Sequence, residues 1–484
     1  IASNISAEQI IGMNGSGFLL GLAIATYELM AAITLILVAK FLLPVFLKKG
    51  IYTMPQFLEE RYNSTARSIM SVFWIALFVF VNIASVLYLG GVAINGLLGY
   101  PLMVGVIGLV IYSASFSIFG GLKAVVWTDI VQVVVLLIGG TVAAVGILSA
   151  VGDGSVWAGI TELYQNVGGH FEMLFEPSDT YVDSFVDKTA ADYTPGDEIK
   201  RPFNDLPGLA LLFGGMWIVN TYYWGNNQYI IQRALAAKDL PEAQRGVAFA
   251  AIMKLFIPFF AVLPGIAAFY LVSKKGEVID WPTADGAFPW VLGEYVGTGL
   301  KGLTFAALVA AIGSSISSMV NSASTIFTLD IYQKFIKKDA SEIELVRMGQ
   351  ISAASALVIG AIMAPALGGI DQAFQYIQEY TGFISPGVFT VFVFGMFWRR
   401  ATAPAAITVI VASIPLSFLL KIMLPDLPFL DRMAFIFVLS AIAMVVISHL
   451  TARGEAADGK LGRGTLSDRT LRIGLMITII AIGL

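Results

Sequence analysis

The sequence predicts an all-α, polytopic membrane protein, and three observations carry that prediction. Hydrophobic residues make up 57% of the 484 and charged residues only 13%, about half the roughly 25% of an ordinary globular chain. Mean hydropathy is +0.81, which leaves too little polar surface for a water-soluble shell. The apolar residues fall in runs of roughly 20, the length a helix needs to cross a bilayer core of about 30 Å, and no strand-period alternation competes with them.

Eleven full spans are read at 16–47, 69–98, 102–119, 130–150, 207–230, 246–273, 302–329, 350–369, 372–398, 403–424 and 432–450, with fragments at 1–14 and 471–484. The chain opens at Ile1 with neither initiator Met nor signal peptide and closes at Leu484 inside an apolar run. Both ends are therefore expected to be cut short. Twenty of the 29 Lys and Arg fall in one set of alternate loops, among them Lys48, Lys49, Arg67, Lys123, Arg233, Lys334 and Arg399. That set is cytoplasmic by the positive-inside rule, so the acidic loop 151–206 is outside. Its Asp and Gly content, with Pro177, Pro195 and Pro202, suits a solvated, irregular segment.

Composition also excludes. A net charge of −4 lacks the basic footprint of a nucleic-acid binder. Zero cysteines remove disulfides, iron–sulfur clusters and thiol chemistry. Two histidines, His170 and His449, leave little for a histidine-ligated metal. With no nucleophile elbow or phosphate loop in view, an enzyme is not expected.

Two hydrophobic segments are interrupted, five spans apart: IASNISAEQIIGMNG at 1–15 and VNTYYWGNNQ at 219–228. Corresponding breaks in two halves are the sequence pointer to an inverted-repeat transporter with its site at the bilayer midplane; the plainer alternative is two extramembrane turns. Glu28 and Lys254 each lie in apolar surroundings for two turns on either side. A charge at that depth costs about 2.5–3.5 kcal/mol on insertion scales, so both must face a polar interior, as a structural ion pair or as a substrate-binding pair. Ala311, Ser314 and Ser315 lie at i, i+3, i+4 and put a carbonyl and two hydroxyls on one helix face. Such serines serve as packing glue or, opposite a broken helix at Ala2–Ile5, as oxygen ligands for a hard cation. Asn220, Tyr223 and Trp224 share a face before Gly225, and Phe374 and Gln378 lie at i and i+4. With Gln9, Glu28 and Lys254 they offer the donors, acceptors and aromatic face that a neutral polyol needs. For Asp129, in VVWTDIVQ, capping or loop tethering is the favoured reading, with ion release or a second ion site as the alternative.

The runs SAEQIIGMNG, TYELMAAITLI, GGLKAVVWTDIVQ, YYWGNNQYIIQRALAAK, KLFIPFFAVLPGIAA, AAIGSSISSMVNSASTIFTLDIY and QAFQYIQEYTGFISPG resemble the sodium:solute symporter family, nearest its bacterial sodium/galactose (sodium/glucose) branch, from Ile1 to about Arg400. The resemblance implies a LeuT-type fold: two inverted five-helix repeats with flanking helices. On it, 1–150 is the first half, its start truncated, 151–206 the extracellular loop, 207–398 the second half, and 399–484 additional helices with a truncated end. It implies sodium held at Ala2, Ile5, Ala311, Ser314 and Ser315, and a sugar held by Gln9, Glu28, Asn220, Lys254 and Gln378 with Asn4 beside them. Tyr223 matches the inner gate and Trp224 a residue next to the sugar. Met13, Tyr27 and Phe374 match the apolar outer side, Met13 and Tyr27 on the resemblance alone. Ala31 stands where a sugar-contacting serine is expected, which leaves the preferred hexose open, and the loop at 178–204 is longer than in the sodium/galactose branch. The expected function is sodium-coupled import of galactose or glucose across a bacterial inner membrane, with sodium as co-transported ion. A symporter for an amino acid, sialic acid or vitamin is the alternative, as is a sugar-binding channel or sensor. Expected partners are the hexose and the lipid bilayer, with homo-oligomers allowed and nucleic acid excluded.

Overall fold

The computed structural model describes residues 3–185, 194–196, 198–279, 281–368 and 372–455. Ala2 and the apolar fragment at 471–484 lie outside them. Among the described residues, eight helices are long and apolar enough to cross a membrane, nine with the pair Ala373–Gly382 and Ser385–Phe397, bent by 48°. The run at 207–230 is broken into short helices, and Leu102–Ile118 is apolar but short, which accounts for the difference from eleven. Among the described residues the strands are one short pair in the loop 151–206, Tyr181 opposite Lys200 and Val182 opposite Ile199. The loop is thus less irregular than its composition implies.

Charged and polar residues punctuate the helices at the turns rich in Lys and Arg. Thr53, Asn63 and Asp239 cap the helices that follow them by accepting from Gln56, Ala66 and Glu242 amides, and Ser341 forms a capping box with Glu344. Arg67, at the start of one span, pairs with Asp330 at the end of another, while Glu59 takes both Arg67 and Lys334. Those two cations, opposed by burial, hold the Glu59 carboxyl below its usual range.

Thr298–Ile336 is the most enclosed span, 78% buried, against 28% for Ala403–Met423; the first runs through the centre and the second along the lipid face. Exposed Ile33, Ile111, Val131 and Phe418 make up part of the apolar outer belt, as expected where the solvent is hydrocarbon.

One expected boundary is wrong. The span read at 16–47 is two elements, because Gly21 adopts φ 69° and ψ −149° between helix Met13–Leu20 and helix Thr26–Leu37. Gln9 and Glu28 line the same cavity, although nineteen residues of straight helix would part them by roughly 28 Å. The chain therefore folds back at Gly21. A β-carbon there would clash with the carbonyl of His170 as well as strain the backbone. Gly21→Ala is expected to lose about 1–3 kcal/mol, read as a lower melting temperature of the detergent-solubilised protein; an unchanged melting temperature would refute the hairpin. Gly121, at φ 58°, makes the corresponding turn between Leu102–Ile118 and Lys123–Val151.

Candidate functional site

Both interruptions are present. Residues 3–6 are unwound ahead of a π-helical turn, Glu8–Gly12. In the second, a π-helical turn at Tyr222–Asn226 ends in extended Asn227 before helix Gln228–Leu235. Unwinding frees backbone groups that need partners, and side chains near each break supply some. Gln9 Oε1 accepts from the Ser6 amide (3.1 Å) and hydroxyl (3.3 Å), and the Glu8 amide donates to Ser6 Oγ at 3.0 Å.

The two breaks and three further elements enclose a cavity of about 30 Å³ lined by Asn4, Glu8, Gln9, Tyr27, Glu28, Ala31, Val219, Asn220, Tyr223, Trp224, Lys254, Phe374 and Gln378. Every residue expected near a sugar is in that set. Met13 is buried off the lining. Glu28 and Lys254, 3% and 1% exposed, form a direct ion pair in its lining. Lys254 Nζ also sits 5.0 Å from the Trp224 ring centroid, a cation–π contact that strengthens away from water. Glu8 was legible only as part of a break, yet it lines the cavity with Oε1 buried and without a protein donor, as is Asn4 Oδ1. A buried acceptor left bare costs about 1–3 kcal/mol, so these oxygens suit a ligand rich in hydroxyl donors.

Aromatic contacts close the cavity on both sides. On one side, Tyr27 and Phe374 meet edge to face at 5.1 Å. On the other, Tyr223 OH accepts from Asn4 Nδ2 at 3.0 Å and from Tyr229 OH at 2.7 Å. A second cavity of about 250 Å³ shares Asn4 and Trp224 with the first and reaches Arg233 and Glu242. The two cavities are thus parted by a single layer of side chains.

Beside this cavity the serine face of Thr298–Ile326 meets the unwound segment. Ser315 Oγ donates to the Ser3 carbonyl at 3.1 Å, and Ser314 Oγ donates to Asp129 Oδ1. Ala311 and Ile5 are buried nearby on the same two elements. Asp129 neither caps a helix nor tethers a loop. Buried at 7% exposure, it takes Arg233 on Oδ2 through Nε at 2.8 Å and a second nitrogen at 2.7 Å, and Ser3 Oγ lies 3.5 Å from the same oxygen. Arg233 also donates to Ser318 and to the Tyr229 carbonyl, at 2.8 Å for the latter. Counted in sequence as a loop cation, Arg233 links the serine face and Asp129 to helix Gln228–Leu235, which follows the second break. Among the described residues no group of three His, Cys, Asp or Glu could hold a metal, so a cation here would be held by neutral oxygens and one carboxylate.

The profile of the Sodium:solute symporter family matches residues 1–412. The chain is 48% identical over 464 residues to a sodium/glucose cotransporter of Vibrio parahaemolyticus, covering 93% of this chain and 81% of that one. It is 31% identical over 466 residues to an uncharacterized symporter, YidK, of Escherichia coli strain K12, covering 93% and 76%. In fold it matches a sodium-coupled sialic acid symporter with a TM-score of 0.74 at 23% identity, covering 93% of this chain and 88% of that one.

Proposed function

This chain belongs to the sodium:solute symporter family, and we propose that it imports a hexose together with sodium by alternating access between the two faces of the membrane. The architecture is LeuT-type, a multi-pass helical fold with its broken helices at the site. The observation that supports the reading best is the cavity itself. One buried ion pair, two bare acceptor oxygens, four side-chain amides and an indole face line it, and an aromatic contact closes each side. Such a lining matches a neutral, hydroxyl-rich ring.

In this reading Gln9, Glu28, Asn220, Lys254 and Gln378 bind the hydroxyls, Asn4 and Trp224 flank the ring, and Tyr223 is the inner gate. Met13, Tyr27 and Phe374 form the outer side. Sodium rests among Ala2, Ile5, Ala311, Ser314 and Ser315. The cavity as it stands is about a tenth of the roughly 300 Å³ at which ligand pockets begin, so the sugar enters by parting Tyr27 from Phe374 and leaves by displacing Tyr223. Sodium beside the unwound segment stabilises the arrangement that binds sugar, and each ligand raises the affinity for the other by the same factor. One positive charge moving inward gains about 2.3 kcal/mol per 100 mV, roughly fifty-fold accumulation from the potential alone. A single chain encloses the whole cavity, so the transporting unit is one copy, in the inner membrane of a bacterial cell and free to self-associate. Ala31 offers a methyl where a serine would offer a hydroxyl, and competition between glucose and galactose reads which epimer it favours.

Uptake of labelled glucose and galactose into proteoliposomes tests the reading. An inward sodium gradient is expected to drive accumulation above equilibrium that collapses when sodium is replaced by choline. Equal uptake with and without sodium would overturn the coupling, and equilibration without accumulation would indicate a channel.

A further inference from the structure

Helix Met54–Arg61 ties together elements on which the site depends. Of its first three residues, Pro55 has no amide proton, Gln56 donates to the capping Thr53 hydroxyl at 3.2 Å, and the Met54 amide has no acceptor within its own helix. Gln228 supplies one from far along the chain: its Oε1 accepts from the Met54 amide at 2.7 Å, and its Nε2 donates to the Tyr52 carbonyl at 3.3 Å. At the other end, buried Arg61 donates to the carbonyls of Gly395 (2.7 Å), Trp398 (3.1 Å) and Ala401 (3.0 Å). Those carbonyls lie at the C-terminal end of Ser385–Phe397, where a cation is favoured. Ser385–Phe397 is the second arm of the bent pair whose first arm carries Phe374 and Gln378. Between the two ends, Glu59 is held by Arg67 and Lys334 on two further spans.

Gln228 is the first residue of helix Gln228–Leu235, directly after the second break. The break itself is loosely held. Among the described residues, buried Asn226 has a partner for neither amide atom, and Asn227 Oδ1 is bare as well. The half-helix that follows carries Tyr229, whose hydroxyl donates to Tyr223 at 2.7 Å, and Arg233, which donates to Asp129 beside the serine face. We propose that Gln228 is a positioning residue for the inner gate: by tying this half-helix to helix Met54–Arg61, it holds Tyr229 against Tyr223 and keeps the layer between the two cavities closed. The proposal rests on the reading of Tyr223 as that gate.

Gln228 and Met54 are both buried, so water does not replace a lost bond, and a substitution that removes it leaves the Met54 amide bare. A half-helix freed at this end swings about extended Asn227, where the helical pattern is interrupted. Tyr229 then leaves Tyr223. The second cavity reaches Glu242, at the head of helix Leu240–Lys254, so parting the layer joins the sugar cavity to the side rich in Lys and Arg. Losing the tie therefore raises access from that side, and an acceptor restored at position 228 lowers it again. One buried hydrogen bond shifts such a balance by about tenfold.

The chain has no cysteine, which makes an introduced one unique. Ala31→Cys places a thiol in the lining of the sugar cavity. In proteoliposomes of one orientation, with sodium and without sugar, a membrane-impermeant methanethiosulfonate is applied from the side that labels Ile343→Cys, an exposed position in a turn rich in Lys. Rates are normalised to that variant. Adding Gln228→Met, which removes both polar atoms at similar volume, is expected to raise the Ala31→Cys rate about tenfold. Adding Gln228→Glu, which keeps an acceptor for the Met54 amide at a helix N-terminus, is expected to stay within about twofold of the parental rate. A parental rate in Gln228→Met overturns the proposal, and so does an equal rise in both variants. If Gln228→Met does not insert, Gln228→Asn, one methylene short of the Met54 amide, is read by the same outcomes. Tyr223→Ala beside Ala31→Cys tests the gate separately. No rise there overturns the reading of Tyr223, whereas a rise there with none in Gln228→Met overturns the positioning role alone.

Discussion

Lys254→Ala is expected to abolish sodium-driven sugar uptake, a loss of at least about a hundredfold. An ammonium has three donors and no acceptor. One donor of Lys254 goes to Glu28, and the remainder are available to hydroxyls in the cavity that both residues line. Each hydrogen bond to a charged group contributes about 1.5–3 kcal/mol, and two such bonds exceed a hundredfold in affinity. The substitution also leaves Glu28 buried and unpaired, which on its own costs about 3–5 kcal/mol. Loss of uptake alone would therefore not separate binding from folding.

The pair Glu28→Gln with Lys254→Met makes that separation. Removing both charges relieves the uncompensated carboxylate, because replacing a buried pair by neutral groups of similar volume is often neutral or stabilising. Inserted, folded protein is expected to return to the parental amount, while equilibrium sugar binding stays lost. If the double variant binds sugar with parental affinity, the ion pair is structural and the assignment of the cavity to a sugar falls with it.

The residues of this cavity were legible because a charge inside an apolar run has few reasons to exist, and because both breaks showed as polar clusters where leucines would suit lipid. What stayed illegible depends on backbone angle or on distance. Gly21 sits in LLGLA, where hydropathy sees only another small apolar residue, so the hairpin that brings Glu28 back beside Gln9 was read as one continuous span. Asp129 and Arg233 are 104 residues apart, and each alone looks like the polar end of a helix. Glu8 carried the same signal as Glu28, but its neighbours Ser6 and Gln9 made it look like part of a turn.

Ser314→Ala and Ser315→Ala are each expected to weaken the apparent sodium affinity of transport by about ten- to a hundredfold. Both hydroxyls already donate, Ser314 to Asp129 and Ser315 to the Ser3 carbonyl. That is the orientation a cation requires. A serine hydroxyl has one donor and two lone pairs, so a proton committed to an acceptor leaves the lone pairs free for sodium. For Ser314 the acceptor is a carboxylate, which makes its oxygen a stronger ligand. Alanine removes one oxygen from a shell of about five and leaves the proton's acceptor bare as well, a loss on the order of 1.5–3 kcal/mol. A merely structural serine would lower folded yield without moving the sodium titration of the protein that remains. The measurement is therefore the sodium dependence of sugar uptake per folded transporter, with Ser315→Thr as the variant that keeps the hydroxyl. Parental sodium affinity in both alanine variants would remove the ion from this face of the helix. Recovery in Ser315→Thr, beside loss in Ser315→Ala, would tie the effect to the oxygen itself.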